Sequence, residues 1–108
     1  MNIIYTKSYD KTYKKLKNHR DAKEKLKKII DYLEAKETFD SMINDPLAKM
    51  YNLEKLKYYD DNYYSFRLSK VIRLIIRKCG LNIEVELVYI SLKHYDDFDE
   101  SRVIYYDE

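Results

Sequence analysis

Apolar residues recur at helical spacing in the first third of the chain. Residues three and four positions apart share one face of a helix, and this spacing predicts helices over residues 8–17 and 20–36. The apolar face of the longer helix consists of Ala22, Leu26, Ile29, Ile30 and Leu33. Residues 2–6 form an apolar run typical of a short strand, and residues 37–43 are compatible with a short third helix. The Asp45-Pro46 pair predicts one more helix start, since proline is favoured in a first helical turn.

From Tyr63 onwards apolar and polar residues alternate, which is the period of a β-strand. The alternation predicts strands over residues 63–69 and 72–77, and a third strand covers residues 83–92. Gly80 lies between the last two and predicts a hairpin loop. Residues 52–62 lack a period and predict an irregular connection. The order strand, helix, helix and three strands predicts an α+β domain, with the helix pair on one face of a mostly antiparallel sheet.

Length and composition exclude several classes of protein. A chain of 108 residues with 45% hydrophobic residues matches one globular domain and is too apolar to be wholly disordered. No apolar run approaches the roughly 20 residues of a membrane span, and the first residues do not resemble a signal peptide. Cys79 is the only cysteine, so an intrachain disulfide is excluded, and two histidines are too few to complete a Cys/His zinc site. We therefore expect a cytoplasmic protein that uses no metal or cofactor.

The net charge of +2 hides an uneven distribution along the chain. Residues 1–36 contain eleven Lys/Arg against five Asp/Glu, or +6, whereas residues 96–108 contain one against six, or −5. Because a tethered segment has a high effective concentration, we predict that this acidic extension is partly ordered against its own domain or a second copy. Blocking of a site, addition of a strand and support of a homodimer are three roles that the sequence leaves open.

Arginine clusters in the alternating region. Three of the five arginines, Arg67, Arg73 and Arg77, fall within eleven residues of a chain that contains sixteen lysines. The forked guanidinium group binds phosphate through paired hydrogen bonds, so this clustering is a more specific signal than the scattered lysines. Alternation predicts that two or three of these arginines share an open sheet face, opposite the face that the helices cover. A solvated, charged surface without further function is the alternative.

Residues 54–76 and the His94-Tyr95 pair resemble a known family. The segment EKLKYYDDNYYSFRLSKVIRLII is similar to a pattern of Glu-x-Leu-Lys, a turn, Ser-x-Arg-[Ile/Leu]-[Ser/Thr] and Arg-Leu followed by an apolar strand. This pattern is found in the RelE/ParE toxin superfamily of type II toxin–antitoxin systems, and the likeness is closest to its YoeB/Txe branch of mRNA interferases. The resemblance implies a RelE-like β-α-α-β-β-β domain over residues 1–95, followed by the acidic extension, residues 96–108.

The resemblance also implies an activity and a catalytic group. It implies a metal-independent, ribosome-dependent endoribonuclease, in which a ribose 2′-OH of mRNA attacks the adjacent phosphate. By position in the family pattern, Glu54 is the general base and Arg73 stabilises the scissile phosphate. His94 is the general acid, and Tyr95 is the aromatic residue that closes the site.

Further residues and partners follow from the same resemblance. Lys57 and Arg67 match positions that contact RNA or phosphate. Arg77 has no counterpart in that branch, and we predict it as a further phosphate contact from its place on the same face. The implied partners are a cognate antitoxin, mRNA and the ribosome, with no membrane. A ParE-like toxin that inhibits a topoisomerase, and a catalytically inactive protein-interaction domain of the same fold, are the alternatives.

Overall fold

A computed structural model describes residues 1–57, 62–92 and 103–106 of the chain. Within these ranges the predicted α+β architecture is confirmed. The strands are β1 (Asn2–Tyr5), β2 (Glu54–Lys55), β3 (Tyr63–Arg67), β4 (Arg73–Cys79) and β5 (Glu84–Ser91). The helices are α1 (Lys7–Tyr13), which runs into a 3-10 turn (Lys14–Leu16), α2 (Arg20–Ala35), α3 (Phe39–Ile43) and α4 (Pro46–Met50). None of these described helices is both long and apolar enough to cross a membrane.

The strands form one five-stranded sheet in the order β1-β5-β4-β3-β2. All neighbours are antiparallel except β1 and β5, which run parallel with Asn2 opposite Glu84. β2 was not predicted, because a strand of two residues is shorter than one full alternation. Its pairing with β3 nevertheless corrects the irregular connection predicted over residues 52–62, and it brings Glu54 into the sheet.

The core lies between the helices and one face of the sheet. Leu74 and Ile76 of β4 are fully buried in the same cluster as Leu26 and Leu33 of α2. This packing confirms the predicted faces of both elements. Burial of side chains of this size contributes roughly 1.5–3 kcal/mol each, so this layer is the main source of stability.

A β-bulge in β5 alters the opposite face. Ile76 lies opposite Leu87, but Ile75 lies opposite Tyr89, so Val88 is an extra residue in the ladder. Bulges of this kind re-aim side chains, and Val88 packs with Ile75 away from the helices. Both faces of the sheet centre are therefore apolar.

Two threonines attach α1 to β5. Thr6 caps α1 by accepting a hydrogen bond from the Tyr9 backbone N–H at 2.9 Å, and its hydroxyl donates to the Val88 carbonyl at 2.7 Å. The Thr12 hydroxyl accepts from the Ile90 N–H at 2.9 Å. These bonds satisfy backbone groups of β5 where α1 crosses the sheet, which fixes the position of the helix.

The predicted helix start at Asp45 and Pro46 is confirmed. Asp45 is the N-cap of α4 and accepts from the Leu47 N–H at 3.1 Å. Its other carboxylate oxygen accepts from the Lys36 ammonium at 2.9 Å and the Tyr32 hydroxyl at 2.7 Å. The hydrogen bond from Lys36, followed by that from Tyr32, lowers the pKa of Asp45 from 3.8 to about 2.

Candidate functional site

Strands β2, β3 and β4 bring three predicted site residues to one face of the sheet. Arg67 lies directly opposite Arg73, and Glu54 lies directly opposite Ser65, two positions before Arg67. Residues directly opposite have Cβ atoms roughly 4.5–5.5 Å apart, and diagonal neighbours roughly 7–8 Å. Glu54, Arg67 and Arg73 therefore occupy adjacent rows. We call the surface of Glu54, Arg67, Arg73 and Arg77 the arginine face.

Arg67 and Glu54 are exposed on this face, as the sequence predicted for a phosphate-binding surface. Lys57, at the end of the first described range, is also exposed. All three side chains are therefore accessible to a ligand approaching the edge of the sheet at β2.

Arg73 has a different environment from the one predicted. Only 8% of the residue is exposed, and its Nη1 donates to the Ser69 carbonyl at 3.1 Å and the Lys70 carbonyl at 3.2 Å. The guanidinium is thus folded against the turn that joins β3 to β4. The expectation that this arginine lies on an open surface is wrong, because the turn carbonyls need donors and Arg73 provides them.

Arg77 is paired with a carboxylate. Its Nε donates to Glu86 Oε1 at 2.9 Å, and Glu86 is itself 6% exposed. Burial alone would lower the pKa of Arg77, but the hydrogen bond and charge of Glu86 raise it above the ordinary value. The sequence did not reveal this pair, since it depends on the register of β4 and β5.

The centre of the arginine face is covered. Ile75 and Val88 are fully buried and pack with Leu56 and Tyr63; we call these four residues the second cluster. An open face was therefore the wrong prediction for its centre. A signal was present in the sequence, because Ile75 lies between Arg73 and Arg77 in the alternation, and a large apolar residue on a sheet face needs cover.

One cation close to Arg67 and Arg73 was not predicted from the sequence. Lys25, half-buried on α2, has a lowered pKa because of burial and then because of the nearby positive charges of Arg67 and Arg73. Its proximity adds a third positive charge at this end of the sheet. Among the many lysines of α2, no sequence feature distinguished it.

His94 and Tyr95 lie outside the described residues, and their roles stay predictions. The same holds for the extension between residues 96 and 102. Among the residues that the structure describes, no group of three or more His, Cys, Asp or Glu side chains is arranged to hold a metal ion.

The structure is similar to a solved toxin. It matches the YoeB/ParE toxin from Agrobacterium tumefaciens with a TM-score of 0.64 and 23% sequence identity, over 88% of this chain and all of the other. The chain has the RelE/ParE toxin fold. Neither a protein-family model nor a curated protein sequence matches the chain.

The described end of the extension packs on this toxin fold. The Ile104 N–H donates to Ser8 Oγ at 2.7 Å, and the Ser8 N–H donates to the Ile104 carbonyl at 3.1 Å. The Tyr106 hydroxyl donates to Asp10. For Val103–Tyr106, the prediction that the extension orders against its own domain is confirmed.

A second surface of the toxin fold combines aromatic and basic residues. A groove of about 730 Å³ between α1 and α2 is lined by residues that include Tyr5, Tyr9, Tyr13, Arg20 and Lys23. The rings of Tyr9 and Tyr13 are stacked with centroids 5.9 Å apart, and the Lys23 ammonium lies 5.5 Å from the Tyr13 centroid. Burial is the main cause that raises the pKa of Tyr9. The basic charge predicted for the first 36 residues is thus partly concentrated at this groove.

Proposed function

We propose that this chain is the toxin of a type II toxin–antitoxin system and acts as a metal-independent endoribonuclease on ribosome-bound mRNA. The observation that carries the proposal is the placement of Glu54, Arg67 and Arg73 in adjacent rows of one sheet face. Glu54 is a diagonal neighbour of Arg67, and Arg73 lies directly opposite Arg67 on the next strand, so a carboxylate and two arginines are grouped on one part of the sheet face. The fold supports the toxin part of this proposal.

The proposed reaction needs a base, an acid and fixed positive charge. Glu54 takes the proton from the 2′-OH, and the resulting oxygen attacks the adjacent phosphorus. The bond from phosphorus to the 5′-oxygen breaks, His94 protonates that oxygen, and a cyclic 2′,3′-phosphate remains. General acid and base groups each contribute roughly 10²–10⁴ in rate. Arginine charges held close to the phosphate stabilise the extra negative charge of the five-coordinate phosphorus.

Arg67 and Arg73, which lie opposite each other on β3 and β4, have different roles in this mechanism. Arg67 is exposed and makes the first contact with phosphate. Arg73, held by the turn carbonyls, is a preorganised charge on the neighbouring strand. Lys57 and Arg77 extend the phosphate contacts to either side, and Tyr95 closes over the substrate.

Partners follow from the same chemistry. A net charge of +2 supplies little phosphate affinity, so the ribosome provides much of the binding energy and presents the mRNA in the cytoplasm. A cognate antitoxin with an acidic segment would cover the basic surfaces and hold the toxin inactive.

The low exposure of Arg73 favours a second candidate function. A nuclease must bring phosphate to this guanidinium, whereas a ParE-like inhibitor of a topoisomerase has no such requirement. The two functions share the fold and differ in their need for Glu54 and His94, so one pair of variants separates them.

The test uses purified protein, intact ribosomes and a defined mRNA, with mapping of new 5′ ends. We expect Glu54→Gln and His94→Ala each to lower the cleavage rate by 10²-fold or more. The double variant should be little worse than the poorer single variant, because the groups act as a unit. Glu37→Gln, an exposed carboxylate before α3, is the matched control and should cleave normally.

Two results would count against the nuclease. The first is full cleavage by the Glu54→Gln/His94→Ala double variant. The second is the absence of cleavage combined with inhibition of a purified topoisomerase by wild type and double variant alike, which would establish the ParE-like function instead.

A further inference from the structure

Residues Val103–Tyr106 form a short strap across the domain. Ile104 is bound to Ser8 through both its N–H and its carbonyl, at 2.7 and 3.1 Å. Backbone bonds of this kind fix a segment without regard to its side chains, so they set the register of the strap on α1. The residues on either side of Ile104 are then directed to particular neighbours.

The strap reaches the arginine face at two points. Val103 packs on the second cluster, which includes Ile75 and Val88 at the centre of that face. The ring of Tyr105 lies 6.0 Å from the guanidinium carbon of Arg77, at the limit of a cation–π contact. One apolar and one aromatic side chain therefore occupy the surface between β4 and β5.

The last strap residue holds the segment to α1. The Tyr106 hydroxyl donates to Asp10, and the Lys7 ammonium lies 5.8 Å from its ring centroid. Ile104, Tyr105 and Tyr106 are 42%, 42% and 51% exposed. A segment with so little buried area is held by few contacts, and it can leave without unfolding the domain.

We propose that the strap is an internal competitor of RNA for the arginine face. This inference rests on the proposed function, and it assigns the strap a regulatory role. With the strap in place, Val103 packs on the second cluster, and the ring of Tyr105 lies beside the Arg77 guanidinium. With the strap displaced, the second cluster loses the cover of Val103, and the partly buried ring of Tyr89 beside it becomes available for stacking with a base.

The expected size of the effect follows from population arithmetic. The apparent affinity of a ligand falls by the fraction of molecules that are competent to bind it. A strap that is docked nine-tenths of the time thus weakens RNA binding about tenfold. Ten residues join Leu92 to Val103. A segment tethered in this way has an effective concentration that reaches millimolar, so weak contacts are enough for such occupancy.

Two readouts on the full-length chain test the proposal. The first is modification of Arg77 by phenylglyoxal, measured by peptide mass relative to the exposed Arg67. The second is affinity for a short single-stranded RNA at low salt, measured by fluorescence anisotropy. The variants are Tyr105→Ala and Val103→Asp, and thermal unfolding checks that each is folded. Ile104→Ala is the matched control, since Ile104 is exposed to the same extent as Tyr105 and binds Ser8 through its backbone.

We expect Tyr105→Ala and Val103→Asp to raise both Arg77 modification and RNA affinity by threefold or more, and Ile104→Ala to change neither. Tyr105 is exposed enough that its replacement leaves the fold intact, so the test does not depend on Val103→Asp. Unchanged Arg77 modification in folded Tyr105→Ala overturns the proposal, even where the protein cleaves RNA. If the wild type binds RNA, increased modification without tighter RNA binding by the variants overturns the competition between strap and RNA. If wild type and variants all fail to bind and cleave RNA while modification increases, the proposed nuclease function is what fails.

Discussion

Arg67 and Arg73 face each other across the antiparallel β3–β4 pair, but one is exposed and the other is buried. Like charges directly opposite in a sheet are destabilising. The structure separates them by folding Arg73 against the carbonyls of Ser69 and Lys70. The pair therefore divides two tasks, since one guanidinium is available to a ligand and the other stabilises the turn.

This division predicts different effects for two similar substitutions. Arg67→Ala should weaken RNA binding while it changes the free energy of unfolding by less than about 0.5 kcal/mol. Arg73→Ala should lower the free energy of unfolding by about 1–3 kcal/mol, because the turn carbonyls lose a charged hydrogen-bond donor. Urea unfolding and RNA titration of the same samples check both. Equal stability of the two variants would show that Arg73 does not stabilise the turn.

The helix-covered face should be sensitive to cavities. Leu74 is fully buried against α2, and Leu74→Ala should lower the free energy of unfolding by about 2–5 kcal/mol. Val71→Ala, at a residue that is 48% exposed, is the control and should cost well under 1 kcal/mol. A small loss for Leu74→Ala would contradict the assignment of the sheet faces.

The β4–β5 hairpin contains a strained residue. Gly80, Leu81 and Asn82 all have positive φ, and Leu81 is 96% exposed at φ 53°. A left-handed conformation costs an ordinary residue roughly 1–2 kcal/mol, and glycine avoids this cost at some entropy penalty. We expect Leu81→Gly to stabilise the domain by about 0.5–1 kcal/mol in thermal or urea unfolding.

Gly80→Ala is the opposite change in the same hairpin. Gly80 has φ 57°, and a Cβ there would meet the Glu84 side chain. This variant should therefore be destabilised. If both hairpin variants shifted stability in the same direction, strain at Leu81 would not be the explanation.

Asp45 should make stability depend on acid pH. Its pKa falls from 3.8 to about 2 in the folded protein, chiefly through hydrogen bonds from Lys36 and Tyr32. The unfolded chain thus binds a proton more readily, so this contribution is complete above pH 4 and is lost as the pH falls through about 2. Asp45→Asn keeps a good N-cap residue and should flatten this part of the curve. The control is Asp31→Asn, which replaces an exposed carboxylate of α2 and should leave the pH dependence of stability unchanged.

The helices and long strands were predictable because each has several residues of one period on one face. β2 was not, since two residues show no period. The bulge at Val88 was hidden as well, because residues 87 to 90 are all apolar and the alternation cannot be followed through them. These two features depend on pairing between distant strands, and a local pattern does not encode that pairing.

The candidate site was predictable in its residues more than in their environments. Alternation correctly grouped Arg67, Arg73 and Arg77 on one face. It did not show that turn carbonyls and Glu86 would bind two of them, because those contacts depend on turn geometry and strand register. The apolar end of the extension indicated that it would dock, but the sequence did not indicate that Ser8 would receive it.

The parallel pairing of β1 with β5 has a consequence for synthesis. Thr6 donates to the carbonyl of Val88, a residue 82 positions later in the chain. At roughly 5–20 residues per second, β1 leaves the ribosome several seconds before its partner strand exists. We therefore expect the sheet to be completed only after β5 has been made, so that β1 stays without its parallel partner strand until then.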